Sequence, residues 1–104
     1  MQESDFSKTA ANALSYIVDE IESQDSGGLL DVDFNSDIIN IATQDGMFVI
    51  NKHSAAQEIW LSSPISGPYH FANMQGEWKS KTGTDLFEIL SKELHLNFNP
   101  SASR

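Results

Sequence analysis

The stretch from Leu30 to Asn51, LDVDFNSDIINIATQDGMFVIN, decides the fold. Leu30, Val32 and Phe34 alternate with Asp31 and Asp33, the period-two pattern of a strand with one apolar and one acidic face. Asn35-Ser36-Asp37 supplies turn residues. Ile39 and Ile41 resume the alternation in a second strand, Asp45-Gly46 is a hairpin signal, and Met47–Asn51 reads as a third strand. Connections this short between neighbouring strands imply antiparallel pairing.

The pattern continues on the C-terminal side. Glu58–Ser62 alternates as a fourth strand, and Ser63 to Pro68 is a loop by its turn residues. Tyr69–Asn73 and Glu77–Lys79 are two further short strands. Outside the strands lie two helices. Over residues 5–23, Phe6, Ala10, Ala13, Leu14, Ile17 and Ile21 recur at three- and four-residue spacing and form one apolar stripe. Ser4 is placed to cap that helix, Asp5 falls in its first turn, and Gly27-Gly28 breaks the chain after it. Over residues 86–95, Leu86, Ile89, Leu90 and Leu94 make the stripe, and Asp85 followed by Glu88 makes a capping-box-like start.

Each helix carries a single apolar face, so both should pack on the same side of the sheet. The expected fold is α+β: a two-layer sandwich with the N- and C-terminal helices on one face of a five- to seven-stranded antiparallel sheet. It forms one domain over residues 1–104, with 99–104 as a frayed tail. The other face of the sheet is left for water or a partner.

A chain of 104 residues with 39% apolar content can bury one modest core. It contains no cysteine, which excludes disulfides and thiolate metal sites. No apolar run is long enough to span a membrane. Met1 to Lys8 lacks the basic and apolar regions of a signal peptide, so the expected location is the bacterial cytoplasm. A trimmed mitochondrial matrix form would read the same way.

The net charge of −9 is confined to the first 45 residues. Glu3, Asp5, Asp19, Glu20, Glu22, Asp25, Asp31, Asp33, Asp37 and Asp45 stand there against Lys8 alone, and acids balance bases in the remainder. Nucleic acid and anionic membrane are repelled by such a surface, whereas cations and basic proteins are attracted. Charge of this kind also serves solubility alone.

No nucleophile motif or phosphate loop occurs, and His53, His70 and His95 have no partner at helical ligand spacing. Two features stand out. Asp19 and Glu22 share a helix face at i,i+3. Asp31 and Asp33 share the outward face of the first strand, about 7 Å apart by strand rise, with Asp25 between the two elements. Oxygen donors of this kind suit iron, manganese, magnesium or calcium. The second feature is Trp60. Alternation sends Ile59 and Leu61 to the core and places Trp60, with Glu58 and Ser62, on the helix-free face, where an exposed tryptophan suits an interface anchor. Trp78 reads as structural.

At these residues the chain resembles the frataxin family, including its bacterial CyaY members. The resemblance is close at Val49-Ile50-Asn51-Lys52, Ile59-Trp60-Leu61-Ser62-Ser63-Pro64 and Ser66-Gly67-Pro68, and looser over the rest, ending in Leu86-x-x-x-Leu90. It implies a role in iron–sulfur cluster assembly, with ferrous or ferric iron bound weakly on an acidic ridge. It also implies contacts with the cysteine desulfurase and the scaffold protein of the assembly machinery. Carried over by position, the ridge falls on Asp19, Glu22, Asp25, Asp31 and Asp33, with Glu20 as an added member. The partner surface falls on Asn51, Lys52, Glu58, Trp60 and Ser62. The chain departs from the enterobacterial pattern at Val18, Ser23, Gly27 and Leu29, where those relatives carry acids. It departs from the mitochondrial pattern at His53 and Glu58 (glutamines there) and at His70 (arginine there). The expected protein is therefore a monomeric iron-binding regulator that could oligomerise with iron. A ferroxidase enzyme and an oligomeric iron-storage or chaperone protein are the alternatives.

Overall fold

A computed structural model describes residues 3–99, with side chains from Asp5 onward. The order is α1 (Glu3–Gln24), β1 (Asp31–Asn35), β2 (Ile38–Thr43), β3 (Gly46–His53), β4 (Glu58–Ser63), β5 (Gly67–Met74), β6 (Glu77–Lys79) and α2 (Leu86–Leu94). The six strands form one antiparallel sheet in chain order, with β1 and β6 at its edges. The two helices pack on one face of that open six-stranded sheet, giving the α+β sandwich expected from the pattern.

Register fixes which side chains meet. Ile41 lies opposite Phe48, Ile39 opposite Ile50, Ile50 opposite Leu61, and Ile59 opposite Phe71. All are buried, and with Phe6, Ala10, Ala13, Leu14, Ile17 and Ile21 of α1 and Leu86, Phe87 and Leu90 of α2 they make one core. Trp78 is 2% exposed and meets Phe6 edge-on with ring centroids 6.0 Å apart. Asp85 caps α2 by accepting the N–H groups of Phe87 and Glu88, as its sequence position suggests.

Several boundaries differ from the pattern reading. The capping role expected of the Ser4 side chain lies outside the described residues, and the backbone is already helical at Glu3. The hairpin between β2 and β3 turns at Gln44-Asp45, not Asp45-Gly46, because Thr43 and Gly46 already pair. Gly46 takes the positive φ, +128°, and a Cβ there would lie 2.8 Å from the Pro64 Cβ. Phe34, expected on the apolar face of its strand, is 39% exposed on the edge strand β1. Residues 100–104 of the expected frayed tail lie outside the described residues. The segment before them is tied down: Gln24 exchanges two hydrogen bonds with the Asn97 backbone, and the Asn99 N–H donates to the Tyr16 hydroxyl at 2.6 Å.

The Ser62-Ser63-Pro64 run has a structural role at its second serine. Ser63 and Glu93 are each 7% exposed, and Ser63 Oγ donates to Glu93 Oε1 at 2.6 Å. The same oxygen accepts the N–H groups of Ile65 and Ser66. One hydroxyl thus satisfies a buried carboxylate and shapes the β4–β5 loop at once.

Candidate functional site

The strand alternation that sends Ile50, Ile59 and Phe71 to the helices sends their neighbours to the open face. Asn51, Trp60 and His70 form one row across β3, β4 and β5, since Asn51 pairs with Trp60 and Trp60 with His70. The adjoining rows are His53–Glu58–Ala72 and Val49–Ser62–Pro68. Four of the five partner-surface residues, Asn51, Glu58, Trp60 and Ser62, are therefore brought together.

The fifth, Lys52, is not brought to that face. It pairs with the buried Ile59 and so projects on the helix side. Its ammonium sits 3.1 Å from the Asp37 carboxylate, and its N–H donates to the Asp37 carbonyl. Lys52 locks the β1–β2 turn to β3, and its side chain is only 14% exposed.

Trp60 is also not the freely exposed ring that alternation alone suggests. It is half-buried, because an imidazole lies flat on each of its faces. His53 stacks on it at 3.9 Å between centroids and 9° between planes, and His70 at 4.1 Å and 10° on the other side. The indole Nε1–H donates to Glu58 Oε1 at 2.9 Å, and the same oxygen is 4.0 Å from His70 Nδ1. Sequence spacing could not group the histidines, since they come from different strands and become neighbours only through register. The usable signal was parity: residues 51 and 53, 58 and 60, and 68 and 70 all alternate to one face. Beside the stack is a hollow of about 210 Å3 lined by Val49, Asn51, Ser62, Pro68 and His70.

The six acidic candidates divide among four environments. Asp19 and Glu22 are exposed on the outer side of α1, about 60° apart around the helix. Asp31 and Asp33 are exposed on β1, opposite Ala42 and Asn40, and therefore lie on the same open face as Trp60. The acidic strand and the tryptophan row are thus parts of one surface, about 14 Å apart across three strand spacings. Asp25 has a backbone role: its two carboxylate oxygens accept the N–H groups of Leu29 and Leu30, each at 2.9 Å, which shapes the loop into β1. Glu20 accepts from Gln24 Nε2 at 2.8 Å, and Gln24 in turn binds Asn97, so Glu20 faces the C-terminal segment. Among the described residues, no three Asp, Glu or His side chains converge on a point where they could hold one metal ion. No described helix is long and apolar enough to cross a membrane.

Comparison with known proteins agrees with this architecture. The chain is 36% identical over 97 residues to a mitochondrial frataxin-like protein of Leishmania donovani, covering 83% of this chain and 51% of that protein. It thus spans about half the length of that relative. It is 31% identical over 96 residues to the iron-sulfur cluster assembly protein CyaY of Neisseria meningitidis serogroup B, covering 90% of this chain and 87% of that one. Among solved structures, frataxin from Psychromonas ingrahamii superposes with a TM-score of 0.83 at 21% identity over 95% of this chain and 99% of that one, a likeness of fold. Trimeric frataxin from Saccharomyces cerevisiae, complexed with ferrous iron, gives 0.77 at 33% identity over 84% of this chain and 82% of that one. The frataxin-like domain family matches residues 1–100, and the chain belongs to that family.

Proposed function

We propose that the protein is an iron-binding regulator of iron–sulfur cluster assembly that works by docking. Its acidic residues would engage iron and a basic patch on the cysteine desulfurase, and the Trp60 row would engage the scaffold protein. The observation that carries this reading is the open sheet face. A preorganised aromatic centre and two exposed carboxylates, Asp31 and Asp33, share one uncovered surface. The kinship with a CyaY named for cluster assembly supports the same reading.

Iron is cargo or signal in this scheme. The dispersed carboxylates favour weak, exchangeable binding through one or two oxygens each, since a tight site needs several ligands converging on one point. Asp19, Glu22, Asp31 and Asp33 are the free ligands. Asp25 would have to release two backbone N–H groups to join them. The absence of cysteine suits a reducing compartment, which we take to be the bacterial cytoplasm.

The test is an NMR titration with ferrous iron under anaerobic conditions, repeated with the desulfurase present. Broadening should centre on Asp19, Glu22, Asp31 and Asp33, and the desulfurase should displace it. Signals moving elsewhere while these residues stay silent would reject the iron assignment. Oxygen uptake per ferrous ion separates regulator from ferroxidase, because only an enzyme turns over beyond stoichiometry. The trimeric, ferrous-loaded yeast relative gives a reason to follow the sedimentation of this protein with iron, as oligomeric iron handling requires assembly.

A further inference from the structure

The His53–Trp60–His70 stack is a denser arrangement than a docking surface needs, and its chemistry differs from that of its surroundings. Trp60 offers a partner no free ring face, because both are covered at about van der Waals contact. What meets a partner is the indole edge, the two imidazoles and the hollow beside them. His53 Nδ1 is shut off from solvent and has no hydrogen-bond partner among the described residues. Imidazole is the side chain that ordinarily changes charge between pH 5 and 8. The centre of this face can therefore carry up to two positive charges, with Trp60 stacked between them.

We propose that protonation of His53 and His70 switches this face between a docking-competent neutral state and a charged state that rejects the partner. The inference rests on the docking reading of the same face and adds its regulation. One physical effect sets the sign. Docking buries the centre of the face, and burying an imidazolium costs far more than burying a neutral ring.

The surrounding charges do not cancel this effect. Among the described residues, Glu58 of β4 is the carboxylate paired beside both histidines, but it already accepts the Trp60 Nε1–H. On the far side of His70, Lys81 lines the same shallow groove, and Lys79 of β6 is held by Glu77 at 3.4 Å and Asp85 at 3.7 Å. Beyond β2, Asp37 is engaged by Lys52. One carboxylate thus faces two imidazoles. When both are charged, the stack holds a net positive charge at the centre of an otherwise acidic face.

Two measurements test this. In the free protein, the imidazole ring protons of His53 and His70 and the Trp60 indole N–H should titrate together by NMR between pH 5.5 and 8 (about one histidine range). In the His53→Gln/His70→Gln variant the indole shift should be lost. An indole signal that ignores pH in the unmodified protein overturns the switch whatever the partner. The second measurement is calorimetric affinity for the scaffold protein at pH 6 and pH 8. Binding should be about tenfold weaker at pH 6, as expected when binding releases one proton or more. The double glutamine variant should bind equally at both values. Binding that is pH-independent in the unmodified protein, or stronger at pH 6, overturns the proposal and leaves docking intact. Absence of binding at both pH values, with the indole titration present, overturns the docking reading instead.

Discussion

Replacing Trp60 with alanine is the perturbation that most directly separates a docking face from an ordinary sheet surface. The structure sets the scale on both sides of the experiment. Within the domain, the substitution removes two stacked contacts, with His53 and His70, and one hydrogen bond to Glu58. Aromatic contacts of this kind contribute about 0.5–1.5 kcal/mol each. A hydrogen bond to a charged acceptor contributes about 1.5 kcal/mol or more. The site is half-solvated, so the low end applies, and the expected loss is about 2.5 kcal/mol. That is well short of the roughly 5–15 kcal/mol that holds a domain of this size. The melting temperature should fall by about 10–20 °C, leaving the protein folded at 25 °C. At the interface, an aromatic group at the centre of a buried patch is worth about 2 kcal/mol or more, so affinity for the scaffold protein should fall about 30-fold. Thermal melts followed by circular dichroism measure the first quantity, and calorimetry at pH 8 the second. Trp60→Phe keeps a ring between the imidazoles and loses only the indole donor, so it should recover most of both. An alanine variant that is folded and binds within threefold of the unmodified protein would refute the anchor role. A variant unfolded at 25 °C would refute the claim that Trp60 is peripheral to the core.

Three further outcomes follow from other parts of the molecule. Neutralising Asp31 and Asp33 to asparagine should raise stability by about 0.3 kcal/mol, since the two charges repel through water across one strand repeat. Iron affinity, read by titration, should fall in the same variant. Ser63→Ala leaves the Glu93 carboxylate buried without its hydroxyl donor and frees two loop N–H groups, so it should cost about 3 kcal/mol in urea unfolding. Ser63→Thr should recover part of that loss. Contact with the desulfurase should weaken steeply as salt rises from 50 to 300 mM, because the Debye length shrinks from about 14 Å to about 6 Å. The Trp60-centred contact should change little.

The element pattern was legible in the sequence because burial in a sandwich of this size is periodic. Strand alternation from Leu30 onward and the two helical stripes each respond to one apolar neighbour layer, so local spacing carries the architecture. Charge was equally legible: Asp19, Glu22, Asp31 and Asp33 are exposed where their spacing places them. What spacing cannot contain is which strand lies beside which, in which register. That decided the remainder. It put His53 and His70 on either side of Trp60, although 17 positions separate the two histidines in the chain. It turned Lys52 to the helix side, where Asp37 holds it. Asp25 is a local case: its carboxylate accepts N–H groups four and five residues on, in a loop that has no period to read. The sequence by itself determined the layers and the location of the charge, because both follow from near-neighbour periodicity. Only the tertiary structure decided how the open face is built, because the groups that cover Trp60 reach it through hydrogen-bonded register between strands.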